Sequence, residues 1–232
     1  VHNRRWVWGV IGAIYLQVII LLTVIEQIVF YLPYYESQYR KLQIFDAVEM
    51  EPKELLYVTK EMLFYLKDKR VTLDIKANVA GIEKEFFTTK EKQHMEDVKK
   101  LFIIGYQIRR VSLFFLLILL FFFIWRVPKW SFIFVKSIQY VTGFLLMSIV
   151  LFSSLIMMNF SYAFTIFHKI FFTNDLWLLD YDIHLLIRIV PEAFFIDIFL
   201  KIGMFILLFL GLQWVAAFMY IRQYNYKEGQ ES

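Results

Sequence analysis

The sequence predicts an all-α polytopic membrane protein with four transmembrane helices and a small extracytoplasmic lobe of helix and short strands. Three observations lead there. Of the 232 residues, 59% are hydrophobic and 20% aromatic, far above the apolar share of an ordinary soluble domain. Several apolar runs approach or exceed the roughly 20 residues that cross hydrocarbon as a helix. The basic residues of the short connections collect on one side, as they do on cytoplasmic loops.

The first span, about residues 6–25, follows Arg4 and Arg5 and precedes Glu26 and Pro33. It exceeds the roughly 7–15 residues of a signal-peptide core, and Phe30, Tyr31 and Leu32 follow in place of a small-residue cleavage site, so it is expected to stay as an anchor. The second, about 108–125, has the least distinct start, because Arg109 and Arg110 separate Val111–Trp125 from the apolar Leu101–Ile108 and can snorkel to an interface. The third, about 138–160, carries no charge, and Ser148, Ser153, Ser154 and Asn159 give it a side suited to packing on other helices. The fourth lies at about 202–221; just before it, Asp197 and Lys201 are spaced to pair on one helix face.

Arg126, Lys129 and Lys136, in the link after the second span, set the orientation. With Arg4, Arg5, Arg222 and Lys227 they put both termini and that link in the cytoplasm, leaving a lobe at about 31–100 and a loop at about 161–195 outside. The whole chain, 1–232, then reads as a single membrane domain. In the lobe, Pro52 opens a helical pattern of Leu55, Leu56, Met62, Leu63 and Leu66 that stops at Lys67–Arg70. Val71, Leu73, Ile75 and Ala77 then alternate with polar residues, which is a strand pattern.

The absence of cysteine removes thiol nucleophiles, disulfides and thiolate metal sites. A net charge of +4, scattered around the apolar segments, leaves no nucleic-acid footprint. Nor is there a G-x-S-x-G elbow, an H-E-x-x-H metal helix or a glycine-rich phosphate loop.

Histidines are the remaining candidates for proton transfer near neutral pH. His2 falls inside, whereas His94, His168 and His184 fall outside. Glu91, His94 and Asp97 share one helical face, where a carboxylate can orient the imidazole, although the same spacing fits a plain solvated helix. Phe167, Ile170, Phe171 and Phe172 make an aromatic rim around His168, equally fitting a histidine seated at the membrane and bonded to a carbonyl. Arg109 is placed either to meet a lipid phosphate or substrate carbonyl or simply to anchor its helix.

The run Glu91 through Val98 contains His94, Met95, Asp97 and Val98 in the order H-M-x-D-V, and resembles the signature of the bacterial lipoprotein intramolecular transacylases. The block of Phe167, His168, Ile170, Phe171, Phe172, Asn174, Trp177 and Asp180 resembles that family's second histidine motif, and Pro191, Glu192, Phe194 and Phe195 resemble its P-E-x-F-F segment. The likeness covers nearly the whole chain and departs at Tyr181, where a proline commonly follows the aspartate. His184 has no place in the signature.

The resemblance implies a membrane acyltransferase of the bacterial cell membrane with its active site on the extracytoplasmic side. Its substrates are diacylglyceryl-modified lipoproteins held in membrane lipid. The enzyme moves the sn-2 acyl chain of the diacylglyceryl-cysteine to the α-amino group of the same cysteine, giving the lyso-form N-acyl lipoprotein without cofactor or metal. It further implies His94 and His168 as catalytic residues, one the base and the other the acid or oxyanion partner in either assignment, with Asp97 orienting His94. Arg109, Asn174 and Trp177 are the candidates for substrate binding. Two other classes stand beside this one: a non-enzymatic scaffold or lipid-binding protein, and a metal-dependent membrane hydrolase using both histidines with Asp97 or Asp180.

The orientation is testable with reporter fusions. Both termini and the Arg126–Lys136 link should read cytoplasmic, and insertions near Lys60 and Asn174 external; finding the last two on opposite sides would overturn the four-span reading.

Overall fold

The structure is a computed structural model that describes residues 2–231, with side chains from 5 to 230; the side chains of His2 and Arg4 lie outside the described residues. In chain order the elements are α1 (His2–Val29), α2 (Leu32–Lys41), α3 (Ile44–Ala47), α4 (Pro52–Leu66), β1 (Lys76–Val79), β2 (Ile82–Glu85), α5 (Thr89–Arg126), α6 (Trp130–Met158), α7 (Phe160–Phe171), α8 (Leu185–Ile189) and α9 (Glu192–Glu231). Among the described residues, α1, α5, α6 and α9 are long and apolar enough to cross a membrane. The chain divides into two compact units, whose boundaries at Ile25, Tyr106 and Leu200 fall within α1, α5 and α9.

The first unit holds the residues up to Ile25, Gln107–Met158 and those from Lys201 on. Its outward side chains are large and apolar, among them Phe114, Leu117, Phe121, Phe144, Leu151 and Leu212, as a lipid-facing surface requires. Since lipid removes most of the hydrophobic drive for helix association, close packing and hydrogen bonds must hold such helices together. Gln17 of α1, Thr142 of α6 and Gln213 of α9 supply the bonds: Gln17 Nε2 donates to Thr142 Oγ1 at 3.1 Å and to Gln213 Oε1 at 3.0 Å, and Thr142 Oγ1 donates to Gln213 at 3.0 Å. Gly9 supplies the close approach, because a Cβ there would stand 2.5 Å from Ser137 Oγ of α6. Ser148 and Ser154 donate to the carbonyls of Phe144 and Val150 one turn back on their own helix.

α5 is one continuous helix through Arg109 and Arg110. Its 38 residues make about 57 Å at 1.5 Å per residue, against a hydrocarbon core of about 30 Å. Only the charge-free stretch after Arg110 is read as crossing lipid; the part up to Tyr106, with Glu91, His94, Asp97 and Lys100, belongs to the second unit.

The second unit comprises Glu26–Tyr106 and Asn159–Leu200. Helix α4 occupies the span read from its leucines, starting at Pro52, whose missing N–H costs nothing in a first turn, and ending at Lys67. The alternation that follows is present, with Leu73, Ile75, Ala77 and Val79 all buried, but the strand is shifted: β1 starts at Lys76. Before that point Arg70 donates to the carbonyls of Thr72 and Asp74, and the bond from Phe86 N–H to the carbonyl of Ile75 is the last between the two chain segments. Only Lys76–Val79 finds an antiparallel partner, pairing Lys76 with Glu85 and Val79 with Ile82 around Ala80 and Gly81. Both turn residues have positive φ, 53° and 81°, as a two-residue hairpin demands.

Rings form the centre of this unit. Phe194, at the start of α9, packs on Tyr34 at 5.5 Å and Tyr35 at 5.1 Å, and Tyr35 meets Tyr39 edge-on. Beside them Asp197 accepts from Tyr34 Oη, Gln38 Nε2 and Lys41 Nζ, which joins α9 to α2. Phe194→Ala should cost about 3–5 kcal/mol of lobe stability, the usual penalty for emptying a buried aromatic site. Thermal unfolding of the detergent-solubilised protein checks this, and a midpoint equal to the parent's would show the site collapses freely.

Candidate active site

His94 and His168 reach the site from different helices of the second unit, α5 and α7. Helix α7 begins at Asn159, whose side chain accepts from Tyr162 N–H and turns the chain after α6. It presents His168 inward while Tyr162, Phe167, Ile170 and Phe171 remain exposed.

The two imidazole centroids are 6.0 Å apart with the rings inclined at 34°. Phe172 lies against both, 5.3 Å from His94 and 5.6 Å from His168. Phe164 at 4.3 Å and Trp177 at 4.8 Å cover His168 further, the indole inclined at only 30°. Both histidines are buried; of the rim expected from the sequence Phe172 lies against both, while Phe167, Ile170 and Phe171 remain exposed.

His168 Nδ1 stands 2.7 Å from the carbonyl oxygen of Phe164, one turn back on α7. A carbonyl only accepts, so the neutral ring carries its proton on Nδ1 and leaves the Nε2 lone pair free. Burial lowers the pKa of His168, and the Phe164 carbonyl works against that fall. For His94 burial is the larger effect, aided by the neighbouring His168 and opposed by Asp97, and pushes its pKa down to about 4. Its Nδ1 is buried without a hydrogen-bond partner. At neutral pH the site thus holds two uncharged imidazoles, of which His168 has the more supported proton.

Asp97 follows His94 on α5 but gives its carboxylate to other groups: Oδ2 accepts from Asn174 Nδ2 at 2.9 Å and Oδ1 from Lys100 Nζ at 3.2 Å. Desolvation pushes its pKa up, yet these two donors and the charge of Lys100 hold it below the usual carboxylate value. Asn174 Oδ1 in turn accepts from Leu176 N–H, closing a turn that leads to Trp177. Asp97, Asn174 and Trp177 therefore form one connected path to His168, without a direct bond from Asp97 to His94. Arg109 lies later on α5 and belongs to the first unit. Among the described residues no three His, Asp or Glu side chains gather as a metal-ligand set.

The sequence carries two motifs at these positions, and its match to known proteins agrees with them. The family model of the lipoprotein intramolecular transacylase Lit matches residues 10–195. The chain belongs to this family. Its activity is intramolecular transacylation of lipoproteins by a multi-pass membrane protein. A solved structure of Lit from Bacillus cereus, membrane-integral and crystallised in meso, is similar over 100% of both chains with TM-score 0.77 and 19% identity. A form of that protein with a histidine-to-arginine mutation is similar over 100% of this chain and 96% of that one, with TM-score 0.71 and 17% identity. One with a histidine-to-alanine mutation gives 100% and 97%, TM-score 0.72 and 19% identity. At such identities the likeness speaks for the fold. No curated protein matches the chain.

Other residues of the family motifs have structural work. Phe195 packs on Phe164, the ring that covers His168, and Glu192 accepts from Ser161 Oγ of α7 at 2.6 Å. Where the proline is absent, Arg188 holds the loop: Nε and Nη2 donate to the carbonyls of Tyr181 and Asp182, and the guanidinium lies 5.3 Å over the Tyr181 ring. His184 Nδ1 accepts from Asp180 N–H at 2.9 Å and so closes the same loop. Glu91 shares the helical face of His94 but is fully buried, its carboxylate accepting from the backbone amides of Thr88 and Leu186; Thr88, three residues before it, is the sequence sign of a capping box.

Burial of a neutral histidine makes stability depend on pH. His94 titrates near 6.5 when unfolded and about 4 when folded, so its stabilising contribution is complete above about pH 7, declines as pH drops through 6.5, and is lost as pH passes below 4. The melting temperature of His94→Gln in detergent should therefore fall less than the parent's between pH 7.5 and pH 5.0. Equal falls would show that His94 is accessible to protons in the folded lobe.

Proposed function

We propose that this transacylase moves the sn-2 acyl chain of a diacylglyceryl-cysteine lipoprotein to the α-amino group of the same cysteine, at the extracytoplasmic face of the membrane. His168 is the base and His94 the oxyanion partner. The observation that carries this reading is the bond from His168 Nδ1 to the Phe164 carbonyl, which leaves Nε2 as the proton acceptor in a ring whose centroid stands 4.3 Å from that of Phe164 and 5.6 Å from that of Phe172.

The cysteine amine attacks the sn-2 carbonyl carbon, and His168 Nε2 takes the proton the amine must lose. A free α-amine has a reference pKa of about 7.7–8.0, and burial lowers that of His168, so the transfer accompanies attack, when the amine nitrogen becomes acidic. The carbonyl oxygen becomes an oxyanion, to which neutral His94 offers a ring N–H; a ring this hard to protonate suits hydrogen-bond donation better than acid catalysis. As the bond from carbon to the glyceryl oxygen breaks, the imidazolium of His168 returns its proton to that oxygen. One amide forms, one ester is broken, and the proton balance closes on a single residue. Attacking and leaving groups belong to one substrate, so alignment can supply much of the barrier reduction, up to roughly 7–11 kcal/mol.

Asp97 acts through Asn174 on the loop that carries Trp177, and Asn174 and Trp177 line the approach of the glyceryl-cysteine head. Arg109 meets a lipid phosphate beside its helix.

His94→Ala and His168→Ala should each slow conversion of a diacylglyceryl lipoprotein to its N-acyl lyso form by about 10²-fold or more. Rates are compared by mass spectrometry of the lipoprotein N-terminus at equal membrane abundance, with His184→Ala, whose imidazole only closes a loop, losing modestly. Near-parent rates in the first two variants would refute the pair; equal failure of all three would make the effect structural.

A further inference from the structure

Glu91 sits one turn before His94 on α5 and is fully buried. Thr88 N–H donates to Glu91 Oε2 at 2.6 Å while Glu91 N–H donates to Thr88 Oγ1 at 3.3 Å, the reciprocal bonds of a capping box at the start of α5. A capping box occupies one carboxylate oxygen. Here the other also works: Leu186 N–H, in the first turn of α8, donates to Glu91 Oε1 at 2.7 Å. His184, the residue before α8, makes no side-chain cap, so Glu91 supplies an acceptor that this turn lacks. One carboxylate thus joins two helix starts that are 95 residues apart in sequence.

The join matters because His94 has no tether of its own at Nδ1. Its ring stands where the register of α5 against the segment from Phe172 to Leu186 puts it. Three α5 side chains hold that register: Lys90, donating to the carbonyl of Leu178, Asp97, accepting from Asn174, and Glu91. The first two bonds are exposed, where polar pairs contribute little. Only the Glu91 bond to Leu186 is buried, and charge-assisted bonds in a low-dielectric setting are the strong ones.

We infer that Glu91 is a positioning residue for transacylation: by bridging α5 to α8 it sets His94 at its 6.0 Å station from His168. This rests on the reading of the two histidines as the catalytic pair. A displacement of about 1 Å at a reacting group can cost about 10²-fold, so the bridge is felt in kcat more than in substrate binding.

Two variants of the full-length protein test it. Glu91→Gln keeps the size but turns an NH2 toward one of the two amides; Glu91→Asp keeps the charge but is too short to span both. Each should lower kcat on a diacylglyceryl lipopeptide in lipid nanodiscs by about 10- to 100-fold with KM little changed. Each is also made in the His94→Ala background. Action through His94 requires that Glu91→Gln causes no further loss there, whereas a general structural role would multiply the two losses. Parent-like kcat in both Glu91 variants, a multiplicative loss in the double variant, or failure of both Glu91 variants to fold would each overturn the inference. His94→Ala at the parent rate would instead sink the catalytic pair, while a slow His94→Ala beside a parent-like Glu91→Gln would sink the positioning role alone.

Discussion

Two imidazoles withdrawn from water without being charged are the constraint from which the second unit follows. Burying a charged ring is costly, so His94 and His168 stay neutral, and the rings of Phe164, Phe172 and Trp177 can close over them. Neutrality brings a second requirement, since a neutral imidazole is useful only if its tautomer is defined. The Phe164 carbonyl defines it for His168 by accepting from Nδ1. His94 is left undefined at Nδ1, which is buried without a protein partner.

The loop from Phe172 to His184 is irregular and must nevertheless hold Trp177 against His168. It is short of backbone ladder bonds, so side chains from its neighbours satisfy it: Lys90 and Asp97 from α5, Arg188 from α8, and His184 at its own end. Of these four side chains only Asp97 belongs to a family motif; the other three meet loop groups in need of partners.

The first unit answers a different solvent. Apolar side chains turned outward gain little by meeting one another in lipid, so Gln17, Thr142 and Gln213 join three helices by hydrogen bonds and Gly9 lets α1 approach α6. A buried glutamine joins helices in both units: Gln17 in the first, and in the second Gln38, whose partner is the Asp197 carboxylate.

The sequence by itself determined the class and the number of long apolar helices, because hydrocarbon imposes a length of about 20 residues that composition alone reveals. It determined α4 as well, through leucine spacing and Pro52, and it singled out His94 and His168 by the motifs around them. Only tertiary structure decided the strand, which requires a partner beyond its own alternation, and so lies at Lys76–Val79 and not from Val71. Only tertiary structure decided the carboxylates too. Glu91, His94 and Asp97 share a helical face, but which neighbour a carboxylate serves depends on donors brought from far along the chain: Leu186 for Glu91, Asn174 for Asp97, and Tyr34 and Lys41 for Asp197. Helical spacing is local and legible in sequence; the partner of a buried polar group is set by the fold, since the desolvation cost must be met by whichever donor the packing delivers.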